Sequence, residues 1–333
     1  MRKIGITTTV PVEILLAANC KVIDLNNVFI SGDSYSEDIE RAERDGFPKS
    51  SCAWIKGIYG ACLRYGISEI VGVQEGDCSN TGALLEVLKT RGIKVYHFSY
   101  PASHNVSDIT IEINKFMKAF NVSLEQAETV RTSLSTIRKH AKAIDELTYI
   151  DNKATGFENH ISQVTLSDFD GNPQKCGQLL EVKISEISKR QPRKQLLRLG
   201  YIGVPPMICD VFEYVERFNA CFVYNEVQRE FSFPRAAQAR NIYEQYYDYT
   251  YPYDLKFRLL EIKKQIRQRR LDGIIHYTQS FCHRAIQDIV IKQELDIPVF
   301  TIEGDKSNCL DSRTKLRLEA FLDMLVDLRG LKQ

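Results

Sequence analysis

A gapless echo across 204 residues constrains this chain more than any other feature. One stretch reads GISEIVGVQEGDCSNTGALLEVLKTRGIKVYHFSYP and holds Cys78; another reads LDGIIHYTQSFCHRAIQDIVIKQELDIPVFTIEGD and holds Cys282. The offset is 282 − 78 = 204, and it also pairs Ile70 with Ile274, Val71 with Ile275, Ile93 with Ile297 and Val95 with Val299. Each copy reads as an apolar strand, a loop, a cysteine, a helix and a second strand. Both cysteines therefore fall where a strand's carboxyl end turns into a helix. Open α/β sheets place ligands there, and a helix amino terminus favours a thiolate. Two cysteines in matched positions imply a shared inorganic ligand.

The rest of the sequence fits two such lobes. Lys3–Thr7 reads as a strand, Pro11–Asn19 as a helix with proline in its first turn, Lys21–Leu25 as a strand and Cys52–Tyr65 as a helix. The order recurs later: Leu197–Val204 as a strand, Pro205-Pro206 as a turn, Cys209–Phe218 as a helix and Cys221–Tyr224 as a strand. Strands alternating with helices predict α/β architecture with doubly wound parallel sheets. The expected domains are a Rossmann-like lobe over 1–101, a helical segment over 102–192 and a second Rossmann-like lobe over 193–333. Within the helical segment, Ser123 and Gln126 form a capping-box pattern. After them Ala127, Val130, Leu134, Ile137, Ala141 and Ile144 recur at helical spacing. Leu179, Leu180, Ile184 and Ile187 mark a further helix, and Arg313–Leu328 a closing one.

Composition mainly excludes. A net charge of +1 gives no global electrostatic reason for binding nucleic acid or a membrane. Thr7, Thr8, Thr9, Pro11 and Glu13 interrupt any signal-peptide core, and no stretch is apolar enough to span a bilayer. A cytoplasmic protein is expected. Nine cysteines without regular spacing or a CxxC pair argue against a disulfide framework, a zinc ribbon and a thioredoxin-type site. P-loop and GxGxxG motifs are absent.

Cys52 is the third candidate partner, because Pro48-Lys49-Ser50-Ser51 precedes it and a helix pattern follows. Three thiolates would leave one iron of a four-iron cluster open. The bland alternative, small buried hydrophobes, suits Cys20, Cys176 and Cys221 best, and Cys62, ten residues into the Cys52 helix, faces another direction. Cys209, opening a helix, and Cys309, after Glu303-Gly304-Asp305, are further candidates to line the cleft. His283 and Arg284 follow Cys282, where a histidine can bond a sulfide or move a proton; a solvent-facing helical turn is the alternative. Glu303 and Asp305 end a strand, as acid–base groups or helix caps. The aromatic run 242–253 reads as a stacking surface or, more commonly, as packing. The basic stretches Lys189–Lys194 and Lys263–Arg270 read as phosphate holders or, more safely, as charged helix faces.

These pieces taken together resemble the 2-hydroxyacyl-CoA dehydratase family, which includes benzoyl-CoA reductase subunits. The resemblance rests on GITTTVPVEILLAANCKVIDLNN, SSCAWIKGIYG, GDCSN, LGYIGVPPMICDVFEYVERFNACFVYNEV, SFCHRAIQDIV, PVFTIEGD and TKLRLEAFLDML, in that order over nearly the whole chain. It implies an oxygen-sensitive enzyme with a [4Fe–4S] cluster held by three cysteines, here Cys52, Cys78 and Cys282. It also implies a separate ATP-hydrolysing iron–sulfur activator, a ketyl radical formed on an acyl-CoA-like substrate, and a homodimer or a pairing with a sister subunit. Relatives with a double-cubane [8Fe–9S] cluster imply about six cysteine ligands, for which Cys62, Cys209 and Cys309 are available. A reading from another class is a non-catalytic subunit that binds its ligand between two closing lobes. No coenzyme A site is recognisable.

Overall fold

The computed structural model describes residues 2–194, 197–232 and 237–330. Strands β1 (Arg2–Ile6), β2 (Cys20–Asp24), β3 (Glu69–Val73) and β4 (Lys94–Phe98) form one sheet in the order β2-β1-β3-β4. Strands β5 (Leu197–Gly203), β6 (Ala220–Asn225), β7 (Gly273–Gln279) and β8 (Val299–Gly304) form another in the order β6-β5-β7-β8. All described pairings are parallel. The two sheets thus have the same topology. Every residue of β6 and β7 is buried, as parallel strands covered on both faces require.

The echo persists in the ladder. Ile70 pairs with Val95, and Ile274 pairs with Val299, the same register 204 residues later. Packing repeats too. Gly5 lets the Ile67 side chain approach β1, and Gly200 lets Leu271 approach β5; a Cβ at either glycine would meet that neighbour at 3.1 or 2.8 Å. Ile67 and Leu271 are themselves 204 apart.

The helical segment is a layer of the first lobe rather than a free-standing piece. Helices 106–120, 124–149 and 173–188 bury Ile109, Ile113, Phe116, Leu134, Ile144 and Ile187 in one core with Ile4, Ile6 and Val71. The 124–149 helix opens on the expected capping box of Ser123 and Gln126. The aromatic run returns to this same core: Ile242, Tyr246, Tyr249 and Tyr253 are buried in it, and the Tyr246 hydroxyl donates to Glu13 Oε2 at 2.6 Å. Packing is therefore its main role. The basic stretches meet carboxylates: Arg190 pairs with Glu158, Arg193 with Glu216, Lys263 with Glu294, and buried Arg269 with Asp145. Across the lobes, Lys306 reaches Glu43, which Lys56 also holds. Among the described residues, no helix is long and apolar enough to cross a membrane.

Candidate functional site

The carboxyl ends of β1, β2, β3, β5 and β7 face a cavity of about 150 Å³ between the lobes. Its first-lobe wall carries Thr7–Thr9, Asp24, Asn26, Cys52 and Cys78; its second-lobe wall carries Val204–Pro206, Gln279 and Cys282–Arg284. The helical segment closes one side with His160, Val164 and Ser167, and Phe231, Tyr251 and Pro252 complete the lining. Much of the remainder is apolar: Ile30, Trp54, Ile55 and Ile58.

All three cysteines read from the sequence line this cavity. Each occupies the cap position before a helical turn: Cys52 before 53–64, Cys78 before 79–90 and Cys282 before the 3-10 turn 283–287. Burial pushes the Cys52 thiol up to about 11, against the opposing pull of the Ile55 and Trp54 amides; negative charge on Cys282 and Cys78 adds to the rise. The Cys52 sulfur is thus within electrostatic reach of both others, although 230 residues separate Cys52 from Cys282 in sequence (282 − 52). Burial also raises the Cys78 thiol, as does Asp77, while the Thr81 hydroxyl, 3.6 Å from the sulfur, and the Thr81 and Asn80 amides lower it.

This donor set fits a polynuclear iron–sulfur centre. Burial leaves the Cys52 and Cys78 thiols little reason to ionise alone, and a cationic centre removes thiol protons outright. Amides of the helix starts after Cys52 and Cys78 then face those thiolates. Among the described residues no three His, Cys, Asp or Glu side chains are grouped to hold a single ion.

The other candidates are placed differently. His283 lines the cavity, and burial, Arg284 and Arg258 hold its pKa below the usual histidine value. Arg284 donates to the Tyr251 carbonyl at 2.9 Å and lies 4.2 Å from that ring's centre. Glu303 is exposed and accepts from the Ser280 hydroxyl, away from the cavity lining. Asp305, the neighbouring candidate at the strand end, is exposed as well. Cys209 and Cys309 are exposed, beside the Met207 carbonyl and the Ser307 hydroxyl respectively. Cys62 is fully buried in the first lobe's core, with its thiol raised to about 12 by burial. Sequence reasoning passed over Thr7–Thr9, Asp24 and His160. A signal existed for the first four: they follow or end β1 and β2, at the sheet end where ligands collect.

The sequence profile of the 2-hydroxyglutaryl-CoA dehydratase, D-component family matches residues 7–325. The chain belongs to that family. The match spans both lobes and the helical layer, and it supports a component resembling those of 2-hydroxyacyl-CoA dehydratases. No curated protein matches the sequence. Within the family frame, the cavity lies where three thiols from both lobes meet.

Proposed function

We propose that this chain is the cluster-bearing component of an iron–sulfur dehydratase, with Cys52, Cys78 and Cys282 holding one [4Fe–4S] cluster. The observation that carries the reading is that these three thiols, from both lobes, line one cavity. When bound, such a centre supplies single-electron transfer at low potential and a Lewis-acidic iron. The chain's own residues exclude water with Ile30, Trp54, Ile55 and Val164, and present hydroxyls from Thr7, Thr8 and Thr9. Arg284, anchored on Tyr251, sets a positive charge beside the substrate space.

The substrate in this reading is an acyl-CoA-like 2-hydroxy compound. The partners are an ATP-hydrolysing iron–sulfur activator and a sister subunit or second copy, as the word component in the family description supports. One cubane is favoured over the double-cubane [8Fe–9S] alternative, because Cys62, Cys209 and Cys309 do not line the cavity. Anaerobic purification with iron and sulfide analysis tests this. About four irons per chain are expected; about eight would favour two cubanes, and an iron-free chain would overturn the reading.

A further inference from the structure

A second cluster of chemistry-bearing groups faces the same cavity from the helical layer and the ends of β1 and β2. Asp24 ends β2 and lines the cavity, yet it is 5% exposed. Asp168, 6% exposed, approaches from the 3-10 turns after the 156–164 helix. The Asp24 amide donates to Asp168 Oδ2 at 2.8 Å, and the Asp170 amide donates to Asp168 Oδ1 at 2.9 Å. Both Asp168 oxygens thus accept backbone hydrogens, which lower its pKa, but burial and the Asp24 charge outweigh them. Asp24 Oδ1 accepts from the Asn26 amide and from Asn26 Nδ2, at 2.9 and 2.8 Å. The Ser167 hydroxyl and the Asn27 amide also hydrogen-bond the Asp24 carboxyl. Trp54 Nε1 fixes Asn26 by donating to Oδ1 at 2.6 Å.

A second observation points to a ligand at this place. Thr7, 3% exposed, lines the cavity next to β1, and its buried Oγ1 has no hydrogen-bond partner. Ile6, just before it, pairs in register with Asp24. An unpaired buried hydroxyl is destabilising, a cost that a polar ligand group in the cavity would remove.

We propose that Asp24, positioned by Asp168, carries the proton of the dehydration, with Thr7 accepting or donating a hydrogen bond to the substrate hydroxyl. This rests on the dehydratase reading above. The carbon–oxygen bond breaks with its electron pair on oxygen, and the proton on the Asp24 carboxyl joins that oxygen to release water. The proton removed from the neighbouring carbon returns to the Asp24 carboxylate, and its bonding pair becomes part of the new double bond. The cycle consumes no net proton and no net electron.

The electrostatics agree. Burial raises the Asp24 carboxyl above its usual range, and burial followed by the charge on Asp24 raises Asp168 to about 7. The groups facing the pair are Asp170, Ser167, Asn26 and the Cys176 thiol, with Lys21 packed over Gly171. Arg138, over the Phe169 ring, is already paired with Glu13.

Infrared difference spectra of the protein, titrated across pH 7, read the proton directly. A protonated-carboxyl band is expected below that pH in the wild type, is lost in Asp24→Asn and is kept, at lower pH, in Asp168→Asn; its loss in Asp168→Asn would put the proton on Asp168 and overturn the proposal. Turnover is assayed with 2-hydroxyglutaryl-CoA and a low-potential chemical reductant. Asp24→Asn is expected to keep its iron and KM while kcat falls by about 10²–10⁴-fold, the usual worth of a positioned acid–base group. Asp24→Glu restores part of kcat. Asp168→Asn lowers kcat less than Asp24→Asn does and moves the alkaline limb of the pH profile to lower pH, because Asp24 loses a neighbouring carboxylate. Absence of the band in the wild type, or wild-type kcat in Asp24→Asn, overturns the proposal. If the wild type shows the band, Asp24→Asn removes it and the wild type turns nothing over, the dehydration reading falls and the proton site stands.

Discussion

The two cysteine-bearing units share sheet order and register but finish their turns differently. In the first, Gly76 takes the left-handed conformation at φ +98°, and Asp77 accepts from the Cys78 amide and the Thr81 hydroxyl. A regular helix follows and seats Leu84, Leu85 and Leu88. In the second, the left-handed residue is Phe281, at φ +65°, and a 3-10 turn precedes the helix. Gly72 in the first copy makes room for Leu85. Its counterpart His276 (72 + 204) fills that space and hydrogen-bonds Asp288 at 2.7 Å. Leu85 is 2% exposed, whereas its counterpart Ile289 is 61% exposed. Duplicated units can thus hold one chemical position, the cysteine, while the packing behind it diverges.

Six substitutions would break or sharpen this comparison. The largest effect is expected where the copies agree. Cys78→Ala and Cys282→Ala should each abolish iron binding, read by iron analysis after anaerobic purification; iron retained in both would end the ligand assignment. Next comes the divergent packing. Gly72→Ala places a Cβ 2.2 Å from Leu85, and overpacking of this kind costs about 1–3 kcal/mol, measurable by denaturant unfolding. Third, His276→Ala should cost about 1–3 kcal/mol by leaving Asp288 without its buried partner. Burial alone would raise the Asp288 carboxyl, but hydrogen bonds from His276, Lys292 and Thr301 hold it well below its usual range. A depressed native pKa adds stability above the unfolded value of about 3.9, and that stability is lost as pH falls through the native one. The variant should therefore lose stability at pH 7 and show a shallower acid limb; an unchanged acid limb would separate Asp288 from the fold's pH response.

The smallest effect concerns the turn. Phe281→Gly should stabilise by about 1 kcal/mol, since a non-glycine residue in the left-handed region costs about 1–2 kcal/mol and Phe281 is 57% exposed, so little burial is lost. Gly76→Ala should do the reverse, because its Cβ would also meet Tyr100 at 2.9 Å. Thermal melts of the two variants that moved in the same direction would show that the turns are not equivalent.

The acid pair responds to pH in the opposite sense from Asp288. Asp168 has a native pKa raised to about 7, so its contribution is present below about 3.9 and is lost as pH rises through 7. Asp168→Asn should flatten stability over that window in pH-dependent unfolding; a slope unchanged from wild type would place the titration elsewhere.

Much of the fold was legible because it is local. Apolar strands, prolines at helix starts and the Ser123–Gln126 cap are short-range signals, and the structure holds them within a residue or two: Lys3–Thr7 became Arg2–Ile6, and Cys52–Tyr65 became Ala53–Arg64. Cys52, Cys78 and Cys282 were legible because a strand-to-helix turn is itself a sequence pattern. Glu303 shows the limit of that rule. It ends a strand as expected, yet β8 is an edge strand and its end faces solvent. The aromatic run misled for a related reason: composition cannot say which core will receive it.

By itself, then, the sequence determined two like lobes, their shared register and three thiols at helix starts, since hydrophobic period and turn chemistry act over a few residues. Only the tertiary structure decided that those thiols meet, and that Thr7, Asp24, His160 and Ser167 share their cavity. Asp24 and Asp168 lie 144 residues apart, and nothing local links them. Packing of the helical layer onto the first sheet brings them together, and burial then changes their chemistry.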